Sequence, residues 1–339
     1  MATGEVRVVA GPDQDDALIA EIYAIQQATH AESPDPMDLL PLPQEMAMRR
    51  IQDEHYRWLT ILVRNEAGTL MGLADCSLLE GMDVLQCAVR VLAPHRRQGV
   101  GRRLVAEAAR IARAEGRQLL QGSTLDNFQP AQAFCDHLGA KAGLAIRNSR
   151  LDLQAIDAAE LQGWVDAAQQ QSCSLLWLDN QTPEQWLSEV TNVMRVMNTA
   201  PTGELESADV PWSEALVKAN EEYFAQMGLE RWACYIRDDH TGHLVGMHDV
   251  LLWSRETLAI QNTAVAPSHR GRGLGKWLKA AMILRVRRER PEGRWMVTLN
   301  AHSNAGMLAI NDQLGFAPTD PGLVAWQVRV AELPDGLGT

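Results

Sequence analysis

The run Thr263-Ala-Val-Ala-Pro-Ser-His-Arg-Gly-Arg-Gly-Leu-Gly-Lys276 carries the residues of this chain best suited to chemistry. Arg270-x-x-Gly273-x-Gly275 places residues without side chains where a strand ending at Val265 turns into a helix opening near Leu274. A helix that begins this way offers unpaired backbone N–H groups and the positive end of its dipole. Glycines let a diphosphate lie against those N–H groups, so Arg270, Gly271, Arg272, Gly273, Leu274, Gly275 and Lys276 are the expected anion site. The plain alternative is a tight turn.

The arrangement occurs twice. Val91-Leu-Ala-Pro-His-Arg-Arg-Gln-Gly-Val-Gly-Arg102 repeats it, with Val91, Arg96, Gly99 and Gly101 at the spacing of Val265, Arg270, Gly273 and Gly275. Arg97, Val100 and Arg102 complete the earlier loop. Each copy leads into a helix, then a strand and a second helix ending in Leu138-Gly139-Ala140 or Leu314-Gly315-Phe316. A chance turn would not bring its flanking elements with it, so the chain is an internal duplication.

Val-x-Pro-x-x-Arg-Gly-x-Gly-x-Gly, followed by Asn300, Asn304 and Leu-Gly-Phe, resembles the GNAT superfamily of acetyl-CoA-dependent acetyltransferases. The resemblance covers most of both halves. It implies an α/β (α+β) fold of two tandem domains, each a mixed central sheet with flanking helices. The spans expected are 1–154 for the first domain, 155–172 for a linker helix, and 173–339 for a catalytic second domain. Met197-Asn-x-Ala-Pro-Thr-Gly203 and Asn300…Asn304…Met307…Asn311 resemble a bacterial tandem subgroup. Mycothiol synthase and some aminoglycoside N-acetyltransferases, the kasugamycin-modifying type included, have this tandem design.

The resemblance implies acetyl-CoA as co-substrate and no metal. It places the pantetheine arm along the strand ending at Val265, with Asn300 and Asn304 near the pantetheine or diphosphate. Helix capping is the alternative role for Asn304. Relatives carry a tyrosine as thiolate acid at the position of Asn311, and of Cys135 in the first half. Neither is a strong acid, although Asn311 can hydrogen-bond the sulfur. A glutamate base is also missing from the face shared by Ala259, Gln261, Thr263 and Val265, which leaves His248 and Asp249 as the nearest substitutes. A structural hydrogen bond is the alternative for both. Glu204, Glu206, Asp209 and Glu222 are candidates for an amine-binding wall, and otherwise solvated surface.

Composition narrows the function class. The 339 residues are 46% apolar and 22% charged, as in a globular chain with full cores, and length alone suggests two domains. A net charge of −12 disfavours nucleic acid and anionic membranes as partners and suits a small cationic amine. Cysteines at 76, 87, 135, 173 and 234 form no Cys-x-x-Cys pair, so free thiols in a reducing cytoplasm are expected. Neither a signal peptide nor an apolar run near membrane-spanning length is apparent. The expected state is a monomer or homodimer.

The elements that must position these residues follow from pattern. Alternation and turn signals predict hairpins over Trp58–Leu79 and Trp232–Trp253, and strands Val84–Leu92 and Leu258–Val265 running into the two loops. Apolar spacing predicts helices over Asp13–Ala28, Gln44–His55, Asp157–Gln171 and Ser213–Met227, with a Pro-rich loop over Ser33–Pro43. Thr182 is expected to cap a helix over Pro183–Met197. The helix Leu274–Glu289 has one apolar face among basic residues. The expected function is N-acetylation of a primary amine on a small polar molecule, an aminoglycoside such as kasugamycin first. Small-thiol biosynthesis of the mycothiol type and a non-catalytic acetyl-CoA-binding regulator are the alternatives.

Overall fold

The computed structural model of the chain describes residues 5–34, 39–51, 53–169, 172–206 and 208–333. In chain order the elements begin β1 (Val6–Ala10), α1 (Asp16–Glu32), α2 (Leu42–Arg50), β2 (Tyr56–Arg64), β3 (Leu70–Leu79), β4 (Val84–Val91) and α3 (Val100–Ala114). Next come β5 (Leu119–Leu125), α4 (Gln129–His137), β6 (Lys141–Asp152), α5 (Ala158–Gln169), β7 (Cys173–Trp177), α6 (Leu187–Met194) and α7 (Glu214–Gln226). The last are β8 (Arg231–Asp238), β9 (Leu244–Leu252), β10 (Thr257–Val265), α8 (Leu274–Glu289), β11 (Trp295–Ala301), α9 (Ala305–Gln313) and β12 (Ala317–Arg329). Part of the expected Ser33–Pro43 loop, and the last two residues of the expected 157–171 helix, lie outside the described residues.

Two compact units result, each an α/β assembly of mixed sheet and flanking helices. The first draws on Met1–Ile146, Thr202–Asp209 and Pro321–Thr339, the second on Arg147–Pro201 and Val210–Asp320. These differ from the contiguous spans read from the sequence. The repeat marks where each loop lies, but not which strand closes each sheet. In the first unit β12 runs antiparallel to β5, with Leu323 opposite Leu125 and Arg329 opposite Leu119. The segment 202–209 joins the same unit, where the Glu204 N–H donates to the Gly143 carbonyl at 2.8 Å.

Strand order runs β1-β2-β3-β4-β5-β12 within the first unit and β6-β11-β10-β9-β8-β7 within the second. In both, an antiparallel series of hairpins meets one parallel pair, β4 with β5 or β10 with β11. Helix α3 buries Val100, Leu104, Val105 and Ala108 in the first core, and α8 buries Leu274, Trp277, Leu278 and Met282 in the second.

Two local expectations need correction. The segment Pro183–Met197 is broken: a 3-10 turn Glu184–Trp186, then α6, then a 3-10 turn Arg195–Thr199. Thr182 does not cap it, because its hydroxyl donates to buried Glu221 at 2.6 Å. Helix α8 is not one-faced either. It is buried nearly all round, and Lys279, which reads as a basic residue of a polar face, is 1% exposed.

Candidate active site

The two glycine loops repeat in detail. After β10 and a 3-10 turn Pro267–His269, Gly271 (φ 76°) and Gly273 (φ 75°) turn left-handed before α8 begins. After β4 and Ala93–His95, Arg97 (φ 61°) and Gly99 (φ 86°) do the same before α3. The left-handed backbone is what selects glycine, and Arg97 occupies it against the steric preference of its Cβ. Side chains of Asp15, Ser213 and Asn304 cap α1, α7 and α9, whereas no side chain caps α3 or α8. Their first-turn N–H groups are therefore left to a ligand or solvent. A Cβ built on Gly99, Gly271 or Gly273 would meet nothing within 4 Å, so the front of each loop is open.

The last glycine of each motif does different work. A Cβ at Gly101 would stand 3.0 Å from the Phe134 ring of α4, and one at Gly275 would stand 3.2 Å from Ile310 of α9. These glycines let two helices approach. Val100 and Leu274 anchor the same first turns in the cores.

Arg96 and Arg270 were expected at the anion, but the structure turns them to the strand. Arg96 Nε donates to the Val91 carbonyl at 3.0 Å and Arg270 Nε to the Val265 carbonyl at 2.9 Å. Glu32 takes the rest of the Arg96 guanidinium, and Thr199 Oγ1 accepts from Arg270 at 2.6 Å. Both arginines staple a loop to its own strand. Lys276 lies over the Trp164 ring at 4.1 Å, and an Arg272 nitrogen is 3.9 Å from Cys173 Sγ.

Beyond each loop a wedge opens in the sheet. The β10–β11 ladder pairs only Thr257–Ala259 with Trp295–Val297, although the strands run on to Val265 and Ala301. The β4–β5 ladder pairs only Val84–Gln86 with Leu119–Gln121. In the first unit the wedge widens into a cavity of about 1450 Å³ whose lining includes Val91, Arg97, Gly99, Gly101, Arg102 and Cys135. Burial and the neighbouring Asp136 push the Cys135 thiol up to about 12. In the second unit the register of β10 against β9 shifts between Ile260 and Asn262, a bulge at Gln261 that β4 lacks against β3.

A chain of polar side chains links α8, α9 and β11 in the second unit. Lys279 Nζ of α8 donates to Asn311 Oδ1 of α9 at 2.9 Å, and Asn311 Nδ2 donates to Asn300 Oδ1 of β11 at 2.7 Å. Asn311 is 0% exposed, deeper than a residue waiting at the mouth would be. Burial without a facing carboxylate pushes the Lys279 ammonium down to about 7. The sequence reading missed Lys279, because a lysine in a helix pattern ordinarily faces solvent.

His248 is also fully buried. Its Nδ1 lies 3.1 Å from the Asn262 carbonyl and 2.9 Å from Thr263 Oγ1. A carbonyl only accepts, so Nδ1 carries the proton and Nε2 is left as a buried acceptor without a partner. Burial, reinforced by the Lys279 charge, holds the imidazole well below its usual range and hence neutral.

Asp249 does not stand free as a base. Its Oδ2 takes Arg231 Nε at 2.7 Å and its Oδ1 takes the Asn262 N–H at 2.8 Å. Arg231 also reaches Glu221 at 3.2 Å and the Tyr235 hydroxyl at 3.0 Å. The first unit repeats this strut at Asp75, which pairs with Arg49, itself bound to Glu45. Both carboxylates serve their sheets. Of the proposed amine wall, Glu204, Glu206 and Asp209 belong to the first unit and only Glu222 to the second, so they form no single wall in either unit; Glu206 pairs with Arg329. Glu204, Asp209 and Glu222 are exposed, and Glu222 accepts from Gln226 at 3.1 Å.

Comparison with known proteins accounts for this geometry. Residues 19–140 and 198–316 match the Acetyltransferase (GNAT) family. Mycothiol acetyltransferase of Salinispora tropica is 24% identical over 311 residues, 88% of this chain and 90% of that protein. Its namesake in Salinispora arenicola is 26% identical over 92% of this chain and 94% of that protein. Among solved structures, a tandem GNAT protein from the clavulanic acid biosynthesis pathway superposes with a TM-score of 0.77 at 24% identity, covering 96% of this chain and 99% of its own. Paired glycine loops, paired wedges and a family match in each half agree: the chain belongs to the acetyltransferase (GNAT) family, as a tandem N-acetyltransferase that uses acetyl-CoA.

Proposed function

We propose that the chain moves the acetyl group of acetyl-CoA onto the primary amine of a small, polar, sugar-bearing molecule, and that the second unit performs the transfer. The observation that carries this is the β10–β11 wedge, which opens after three residue pairs and leads to the uncapped start of α8; the bulge at Gln261, which β4 lacks, distinguishes it from the wedge of the first unit. In this reading the N–H groups from Gly271 to Lys276 hold the diphosphate, while Arg270 keeps the loop on its strand. Thioester chemistry supplies the acyl group. Asn300, held by Asn311 and through it by Lys279, steers the sulfur end of the arm. Asp249 is tied into its strut and His248 is closed off, so the amine proton leaves to solvent. The open first-unit groove holds a second carrier molecule, and its front includes Arg97 and Gly99.

The preferred acceptor is a cysteinyl pseudodisaccharide of small-thiol synthesis. End-to-end similarity to two mycothiol acetyltransferases supports it. An aminoglycoside of the kasugamycin kind is the second reading, favoured by the net charge of −12 and, in the second unit, the exposed carboxylate of Glu222. Thiol release from acetyl-CoA across a panel of amines separates them. Turnover on the cysteinyl compound supports the first, and turnover on the aminoglycoside alone the second. Tight CoA binding with every amine inert would mean a regulator. In the same assay Gly273→Val should abolish turnover and Gly99→Val should leave most of it; the reverse pattern moves the chemistry to the first unit.

A further inference from the structure

Two thiols in the first unit stand together where no described step uses them. Cys76 of β3 and Cys87 of β4 are directly opposite in the antiparallel register, and their sulfurs are 3.8 Å apart. Cys76 is 0% exposed and sealed in the core, while Cys87 lines the 1450 Å³ groove. Strand β5 passes close by, since a Cβ on Gly122 would stand 2.5 Å from the Cys87 carbonyl oxygen. The two side chains stand side by side on one face of the sheet, Cys87 at the groove and Cys76 next to it in the core. Directly opposed antiparallel residues have Cα atoms about 4.5–5.5 Å apart, inside the range of about 4.4–6.8 Å that a disulfide spans. Rotation about the two Cα–Cβ bonds is what remains to bring the sulfurs to about 2 Å.

We propose that Cys87 and Cys76 form a thiol–disulfide exchange site whose ligand is a disulfide of a pantetheine-bearing thiol lying in the first-unit groove. The proposal rests on that groove's taking a pantetheine arm. Cys87, as thiolate, attacks one sulfur of the ligand. A Cys87–ligand mixed disulfide forms, the ligand S–S bond breaks, and one thiolate leaves carrying the electron pair. Cys76 then attacks the Cys87 sulfur, closing Cys76–Cys87 and expelling the second thiolate. The two protons given up by the cysteines end on the two departing thiols. The ligand is reduced by two electrons and the protein pair is oxidised by two.

Cys135 also lines the groove, but its thiol is held far from ionisation and Asp136 adds to that. Attack at Cys87 is favoured by its place at the groove, and resolution by the Cys76 sulfur 3.8 Å beside it. The hydrogen bond with Cys87, and then burial, push the Cys76 thiol well up, so the second step is the slower one and speeds up with rising pH.

The test uses the reduced full-length chain and CoA disulfide, with free-thiol titration, peptide mapping and intact mass, and CoA binding measured in parallel by calorimetry. The expected result is loss of two of five thiols, a Cys76–Cys87 cross-link, and recovery with dithiothreitol. Cys76→Ser should stop at a CoA adduct on Cys87, and Cys87→Ser should keep Cys76 reduced. Should a serine variant fold poorly, the corresponding alanine variant answers the same question. CoA bound in the first unit (a stoichiometric site lost in Gly99→Val) with both thiols intact overturns the exchange site alone. No such binding and no thiol loss overturns the groove assignment as well.

Discussion

At the level of single residues, two positions break local rules, one in each unit. Arg97 holds a left-handed backbone that costs an ordinary residue about 1–2 kcal/mol. Its counterpart Gly271 adopts the same turn without that cost. Arg97→Gly should raise stability by about 0.5–1 kcal/mol, once the greater freedom of unfolded glycine is subtracted. It should also weaken CoA binding in the first unit, because an exposed cation leaves the front of the groove. An unchanged urea midpoint together with unchanged affinity would show that the residue neither strains nor binds.

Lys279 is the second such position. Its amine titrates near 7 in the fold, against about 10.4 in an unfolded chain. Between those values the unfolded chain binds a proton that the native state does not, so this group makes stability rise with pH across that window. The penalty is fully present below about pH 7 and fades toward pH 10.4. Lys279→Met should therefore gain most over the wild type near pH 7, with a margin that shrinks by roughly 4 kcal/mol on the way to pH 10. Denaturant melts at several pH values give the answer, and a margin independent of pH would mean that the amine stays charged when folded. The residue was invisible in the sequence for a physical reason. Helical periodicity assigns a lysine to water, and only the all-round burial of α8 turns it inward.

Elements explain why some of the site could be read in advance. The turns at Gly99 and Gly273 announce themselves, because few residues other than glycine accept that backbone. Hairpins and both loop-entering strands were legible from alternation and turn residues, and the first hairpin ends at Leu79 as the pattern has it. The carbonyl partners of Arg96 and Arg270 are not legible in the sequence, and for Asp249 only the kind of role, a structural hydrogen bond, is among the readings. Sequence marks a charge but not the carbonyl or guanidinium that folding brings to it. Gly101 makes a sharper point, since its role is to let α3 and α4 touch. Gly101→Ala should cost about 1–3 kcal/mol through overpacking against Phe134, and Phe134→Leu in the same chain should recover most of it. Additive losses in that double mutant would place the strain elsewhere.

For the whole molecule, duplication was legible and the closure of each sheet was not. A repeat fixes corresponding positions. It says nothing about which copy of a final strand completes which sheet, because either copy satisfies the same alternation. The first unit contains β12 residues from the far end of the chain, in register with β5. A chain ending at residue 320 should therefore lose amide protection in β5, some two hundred residues from the cut in sequence, and hydrogen exchange would show it. Full protection there would mean that β5 is stable as an edge.

That arrangement also bears on how the protein is made. Synthesis runs from the amino terminus, and domains ordinarily fold as they emerge. Here β5 waits with one flank unpaired until Leu323–Arg329 leave the ribosome, so the part of the polypeptide born first is the part finished last.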